Sequence, residues 1–264
     1  RCGGFRATYT NIRGEANEPT VVPPSAETRV PYACNSFVRE VRGKRSGFFH
    51  VEKQGCLWWV IDPLGRGFVP LGIDHVRYSG HWCSELGYHP HERKNNARYA
   101  NREAWAEETL SRLTGWGFNL LTAGNDTILH RRGMAHTIPL NIGQTFTANG
   151  EGYYITPHEK RPCTAFPNVF HPDFERFCRY EAELECARHA NDPWLFGYFL
   201  DNELAWWGRS WGDYSLETGL FDAVMKLDAD HTAKLALRDF LHESFEGDIQ
   251  TFHPTLGVSL GSVD

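Results

Sequence analysis

The chain has 264 residues, 41% hydrophobic and 23% charged, with a formal net charge of -6. That is the make-up of a globular protein with a sizeable core. The negative balance argues against a nucleic-acid face, which needs concentrated basic residues, and no apolar run approaches the ~20 residues of a membrane helix.

Residues 1–46 lack clear periodicity and contain Pro19, Pro23, Pro24 and Pro31, so they are expected to form an extended arm rather than a domain. The stretch FFHVEKQGCLWWVIDPLGRGFVPLGIDHV then reads as β structure. Residues 48–51 and 57–61 flank a turn at Gln54-Gly55, and Asp62-Pro63-Leu64-Gly65 makes a second turn. Residues 68–73 form a continuous apolar run, the pattern of a buried parallel strand. Asn101 is placed to cap a helix reaching Gly115, with Ala106, Leu110 and Leu113 on one face. Residues 118–122 read as a second strand, 127–134 as a short helix and 136–141 as a third strand. Residues 143–170, rich in Gly, Pro, Tyr and Thr, read as a long loop. A helix starts near Pro172, with Asp173 and Glu175 in its first turn, and ends near Asn191 ahead of Pro193. Residues 194–200 are the fourth strand. A loop with Trp206, Trp207 and Trp211 comes next, then a short helix over 219–225 and an amphipathic helix over 233–245.

Strands alternating with helices predict an α/β fold with a parallel sheet and right-handed crossovers. Four β/α units in ~130 residues extrapolate to a (β/α)8 TIM barrel of ~250 residues or more. A doubly wound sheet fits the same alternation, but no G-x-G-x-x-G or P-loop follows any strand. Four further strand–helix pairs do not fit after residue 203. The chain is therefore expected to supply the first four β/α units of a barrel, preceded by an arm over 1–46 and a β-hairpin that opens the 47–264 half-barrel.

In a barrel, the residues just past each strand form the active-site face. Here they are Asp74, His75 and Arg77, then Asn125 and Asp126, then Asn141 and Gln144, and last Asp201, Asn202 and Glu203. The sharpest signal is GYFLDNELAWW, an aromatic strand that delivers Asn202 and Glu203 side by side just ahead of Trp206 and Trp207. Hydrolysis of a glycoside needs a protonated carboxyl at the departing oxygen and a second carboxylate opposite it. Adjacent indole rings favour the protonated form by excluding water, and Asn202 can bond the hydroxyl beside the anomeric carbon. The plain alternative is a Glu that caps a turn. Trp206, Trp207, Trp211, Tyr153 and Tyr154 are candidate sugar-stacking platforms or, equally, core residues.

Three other patterns carry less. Residues 208–212 match G-x-S-x-G, but a nucleophile elbow needs a strand running directly in and a helix directly out. His89, His91 and Glu92 lie in a polar stretch without metal-ligand spacing, so no metal is expected. Asn125-Asp126-Thr127 matches a glycosylation sequon whose place at a strand end argues against a glycan. The seven cysteines include no CxxC pair; Cys178 and Cys186, ~12 Å apart on one helix, are too far for a disulfide. Cys2 and Cys34 are free to pair in an oxidising compartment.

Asn-Glu at the end of a fourth strand resembles the acid/base signature of the clan A retaining glycoside hydrolases, which share the (β/α)8 barrel. DPLGRGFVPLGID resembles the start of strand one in the family 42 and family 50 branch, which includes β-galactosidases and β-agarases. DPWLFGYFLDNELAWWG resembles the acid/base strand of that branch, and the segment from Lys234 to Asp264 is similar to the helix and loop that come after that strand there. The resemblance covers residues 48–264. It implies a retaining hydrolase of β-linked galactose-type chains without cofactor, in which Glu203 is the general acid/base and Asn202 the neighbouring substrate-binding Asn; His75, Asp74, Asn125 and Asn141 at the other strand ends, with Trp206 and Trp207, are the further residues expected to contact carbohydrate. The family's nucleophile is a Glu near strand seven, and Glu217, Glu243 and Glu246 do not match it. The partner is thus expected to be the remaining half of the barrel, on another chain or a longer precursor, with an extracellular or periplasmic location preferred. The alternative is a non-catalytic carbohydrate-binding half-barrel or a partner-dependent subunit.

Overall fold

The computed structural model of the chain describes residues 37–156, 165–204, 206, 210–211, 214–215 and 219–245. The described residues of 37–140 and 184–199 form one compact unit, the sheet unit, and those of 141–183 and 200–245 form a second.

The sheet unit starts with an antiparallel meander of β1 (Phe37–Arg42), β2 (His50–Gln54), β3 (Leu57–Ile61) and β4 (Arg66–Phe68), in the order β1-β4-β3-β2. β2 and β3 pair from His50↔Ile61 to Gln54↔Leu57 around a two-residue turn in which Gly55 takes φ 62°. Tight hairpins need positive φ there, and glycine adopts it without strain. β1 falls inside the stretch expected to be an arm. Its pairing of Phe37 with Phe68 and Val38 with Gly67 makes it part of the meander, while residues 1–36 lie outside the described residues.

The turn between β3 and β4 is built on Asp62, which is 2% exposed. Its Oδ1 accepts the N–H groups of Leu64 at 2.9 Å and Arg66 at 2.8 Å, and its Oδ2 accepts the Arg66 Nε at 2.7 Å. A short acidic side chain that bonds backbone two residues on is what fixes such a turn.

The apolar run 68–73 is not one strand. It divides into the end of β4 and β5 (Gly72–Ile73), which belong to different sheets, and Val69 and Leu71 are exposed. Pro70 explains the division, because it has no N–H for a ladder. Asn119, 1% exposed, bridges the break: its Oδ1 accepts the Leu71 N–H at 2.7 Å and its Nδ2 donates to the Val69 carbonyl at 2.8 Å.

β5, β6 (Leu120–Leu121), β7 (Ala135–Pro139) and β10 (Leu195–Phe199) form a parallel sheet in the order β10-β7-β6-β5. Consecutive parallel strands of the fold are therefore side by side. Between β5 and β6 run α1 (Pro90–Arg98) and α2 (Arg102–Gly115). Asn101 caps α2 as expected, with Oδ1 accepting the Ala104 N–H at 2.8 Å. Trp105, Ala106, Leu110 and Leu113 of α2 join Tyr78, Leu121, Leu129 and Met134 in one buried cluster. α1 has no counterpart among the predicted elements, because none of its residues is buried and so no apolar stripe marks it. It takes in His91 and Glu92, with His89 just before it, residues expected in a polar loop. The crossover from β6 to β7 holds a 3-10 turn, Thr127–Leu129, in place of the helix expected to reach 134. Phe49, Phe68 and Phe196 pack edge-on or tilted between the meander and the parallel sheet, at centroid distances of 5.1 to 6.1 Å.

The stretch 143–170, expected to be loop, contains structure too short for periodicity to reveal: α3 (Ile142–Thr147) and the antiparallel pair β8 (Tyr154–Thr156) and β9 (Phe166–Pro167). α4 (Phe174–His189) follows, its N-terminal part in the second unit and its C-terminal part in the sheet unit. Phe146 of α3, fully buried, is ringed by Tyr153, Phe174 and Phe177 at 5.0 to 5.2 Å. β11 (Ser210–Trp211) pairs with β12 (Tyr214–Ser215), and α5 (Leu220–Met225) and α6 (Thr232–Ser244) pack Val224 and Ala233 with Ile155 and Phe166. Phe240 of α6 is 60% exposed.

Replacing Asn119 by Ala strands two backbone groups beside Pro70. We expect a loss of about 1–3 kcal/mol of unfolding free energy, given about 0.5–1.5 kcal/mol net for each hydrogen bond lost. The shift of the urea midpoint measures it.

Candidate active site

The loops after β5 and β6 are tied together in the sheet unit. The His75 N–H donates to the Ala123 carbonyl at 3.3 Å, Asp126 N–H to Val76 at 2.9 Å, and Arg77 Nε to the Gly124 carbonyl at 2.6 Å. Gly124, at φ 73°, leaves room for this: a Cβ there would come 3.0 Å from the Arg77 guanidinium and 3.3 Å from the His75 ring. Asn125 is the central tie. Its Oδ1 accepts the Val76 N–H at 2.7 Å, and its Nδ2 donates to Ile73 at 2.9 Å and Thr122 at 2.8 Å. Both amide N–H donors are thus engaged with backbone, so Asn125 acts through the loop it shapes, and the sequon carries no free amide.

Asp74 and His75 lie together, with Oδ2 of Asp74 3.2 Å from Nδ1 of His75, both more than half exposed. The His81 ring stands 6.1 Å from that of His75. A polar, solvent-facing group therefore crowns the C-terminal ends of β5 and β6.

The second unit holds Asn141, Asn202, Glu203 and Trp206. Beyond β10, residues 200–202 run beside 141–144. The Ile142 N–H donates to the Leu200 carbonyl at 2.8 Å, and the Asp201 carboxylate accepts Gly143 N–H at 2.9 Å and Gln144 N–H at 3.0 Å. Gln144 Nε2 reaches the Asn202 carbonyl at 3.4 Å. Burial pushes the Asp201 carboxyl above its usual range against the lowering effect of those two N–H groups. The contact is close: a Cβ at Gly143 would fall 2.6 Å from Oδ2 of Asp201. Sequence pattern did not single out Gly143 or give Asp201 this role, because the bonds join residues 57 or 58 apart.

Glu203 and Asn202 are exposed, as is Trp206 at 54%. The described residues therefore do not supply the desolvation expected from adjoining indoles. Trp206 rests one edge against Phe166, at 4.8 Å and 77°, leaving the rest of the indole open. Trp207 lies outside the described residues. Tyr153 is committed to packing, stacked on His171 at 4.3 Å. Ser210 lies in β11, paired antiparallel with β12, whereas an elbow requires a helix directly after it.

Four non-glycine residues among those described have left-handed backbone: His75 at φ 56°, Arg131 at 59°, Asn141 at 52° and Glu203 at 53°. Three of them follow parallel strands, after β5, β7 and β10. Left-handed conformation costs roughly 1–2 kcal/mol in a residue with a Cβ, and such strain clusters where function fixes geometry.

The sheet unit also buries an ionic cluster. Asp192, 6% exposed, has Oδ2 3.0 Å from Arg131 Nε and 3.2 Å from His136 Nε2, and Oδ1 accepts the Trp194 N–H at 3.0 Å. The His136 contact is close without hydrogen-bond alignment, since both ring nitrogens lack a bonded partner. Burial would raise the Asp192 carboxyl, but these neighbours outweigh it and hold it at about 2. His130 stacks on His136 at 4.4 Å, and burial, then that neighbour, push it down to about 4. A cavity of about 560 Å³ opens beside them, lined by Asn125, Thr127, His130, Arg131 and Arg188 among others. Its charges are matched internally, Arg131 with Asp192 and Arg188 with Glu185.

No protein-family model matches the sequence. The chain is 23% identical to Beta-agarase B of Vibrio sp. (strain JT0107), over 83% of its own length and 28% of that relative's. A solved exo-β-agarase structure superposes with TM-score 0.58 and 17% identity, covering 84% of this chain and 40% of that one. The structure of PfGH50B gives TM-score 0.62 and 16% identity over 92% of this chain and 41% of that one. The chain thus shares the fold of these proteins and spans well under half of their length.

The histidines set an acid limit. His130 stays neutral in the native state down to about 4, whereas the unfolded chain protonates it near 6.5, so its contribution is full above pH ~6.5 and fades as pH falls towards 4. We expect the urea midpoint to drop between pH 7 and 4.5, and His130→Gln to flatten that slope by about 1 kcal/mol after allowance for solvent screening.

Proposed function

We propose that this chain is the acid/base half of a retaining glycoside hydrolase acting on a β-linked galactose-type polysaccharide such as agarose. The observation that carries the reading is the place of Glu203: an exposed carboxyl on a left-handed residue, four positions past the last of four parallel strands set side by side in chain order. Sequential parallel strands are what one side of a (β/α)8 barrel presents, and its chemistry sits past their C-terminal ends. The likeness to β-agarases supports the substrate class.

In the first step Glu203 gives its proton to the glycosidic oxygen as the C1–O bond breaks and C1 bonds to a nucleophilic carboxylate outside this chain. In the second, water attacks C1, Glu203 takes the water's proton, and the carboxylate leaves. Asn202, beside it, bonds the hydroxyl next to C1. Asp74 and His75 supply sugar-binding polar groups on the β5 end, Asn141 belongs to the same strand-end set after β7, and Trp206 offers an indole face. Trp207 would add a second. The division into an arm over 1–46 and a half-barrel over 47–264 is part of the proposal, with β1 as the part of the arm that joins the meander. Among the described residues β5 and β10 each have one neighbour in the parallel sheet, which leaves two edges. Open edges need covering, so the rest of the barrel is expected from a longer chain or a partner.

Glu203→Gln in the full-length protein should lower agarose hydrolysis, measured as new reducing ends, by about 10²- to 10⁴-fold, the usual worth of a general acid/base. An unchanged rate overturns the assignment.

A further inference from the structure

The segment that carries Glu203 is short, exposed and held in a conformation its backbone resists. Residues 200–204 contain no helix or strand, and Glu203 itself takes φ 53°. Something must hold that turn, because a carboxyl displaced by 1 Å from its productive position loses most of its value. Beyond Glu203, Leu204 packs against the cluster of Ile155, Phe166, Val224 and Ala233; ahead of it, the bonds to residues 200–202 come from one place. Leu200, Asp201 and Asn202 are all bonded to Ile142, Gly143 and Gln144, with the Asp201 carboxylate making two of the four bonds. Asn141, which starts this opposing stretch, is itself left-handed at φ 52°, so each side of the clamp has a strained residue that the other restrains.

We propose that Asp201 is the positioning residue of Glu203, its carboxylate locking residues 200–204 onto the first turn of α3 across Gly143. The inference rests on Glu203 being the general acid/base. Two features make Asp201 fit the role and no larger residue. Its carboxylate offers one oxygen to each of two successive N–H groups. Charged acceptors of this kind bond more strongly than neutral ones. Gly143 is required opposite it, because any Cβ there would lie 2.6 Å from Oδ2. The pair is therefore a lock with one shape, and damage on either side releases the same turn. Asp201 does not touch substrate. It sets where the Glu203 proton is delivered.

The test separates positioning from folding by the need for acid assistance. In the full-length protein, Asp201→Ala and Gly143→Ala should each lower kcat/KM for agarose, whose leaving hydroxyl needs a proton, by about 10- to 100-fold. For nitrophenyl β-galactosides, whose phenolate departs without one, kcat/KM should change by less than about threefold. Equal losses on both substrates, or no loss on either, overturn the inference. If Asp201→Ala does not accumulate folded, Asp201→Asn is read in the same way, since it keeps size and one acceptor but turns a donor towards an N–H. The underlying reading fails separately, when Glu203→Ala shows no difference between the two substrates.

Discussion

The strands of the parallel sheet are short, β5 and β6 being two residues each, so little backbone is satisfied by ladders. Every buried N–H and C=O left over at a strand end still needs a partner. In this fold side chains supply many of those partners, beside the backbone bonds between loops. Asn119 stands in for a strand across Pro70, Asn125 closes the loops after β5 and β6, Asp201 closes the turn after β10, and Asp192 caps the start of β10 through Trp194. Asp62 does the same in the meander. The sheet's geometry depends on this set of short polar side chains as much as on its apolar clusters.

The same constraint explains the strain. A loop held at several points by side chains cannot relax to the dihedrals its residues prefer. His75 lies between the backbone bond to Ala123 and the Asn125 tie, and Glu203 follows the Asp201 clamp directly. Roughly 1–2 kcal/mol of backbone strain at each position is of the same size as a few such bonds, each about 1–1.5 kcal/mol net. Three of the four strained residues thus lie just past parallel strands, where such ties are made.

Which elements are legible in the sequence depends on what its patterns encode. The capped helix over 101–115, the hairpin over 48–61 and the fourth strand were readable because apolar spacing and turn residues act locally. α1 was hidden because it buries nothing. The run 68–73 misled because hydrophobicity outweighed Pro70, although Pro is the one residue a central strand rejects. α3 and the β8–β9 pair are too short for any period to show.

The site divides along the same line. That Asn202 and Glu203 follow a strand could be read directly, since adjacency in sequence is adjacency in space there. That Asn125 is engaged with backbone rather than open to a ligand could not. An Asn at a strand end looks identical in sequence whether its amide faces solvent or three backbone groups 3 to 52 residues away. The same ambiguity covers Asp201 and Asp74, one clamped to α3 and the other exposed beside His75. For short polar residues, chemistry is set by which backbone groups lack a partner nearby. That deficit belongs to the folded sheet, so the ties and the strain they hold in place emerge together once the strands are laid side by side.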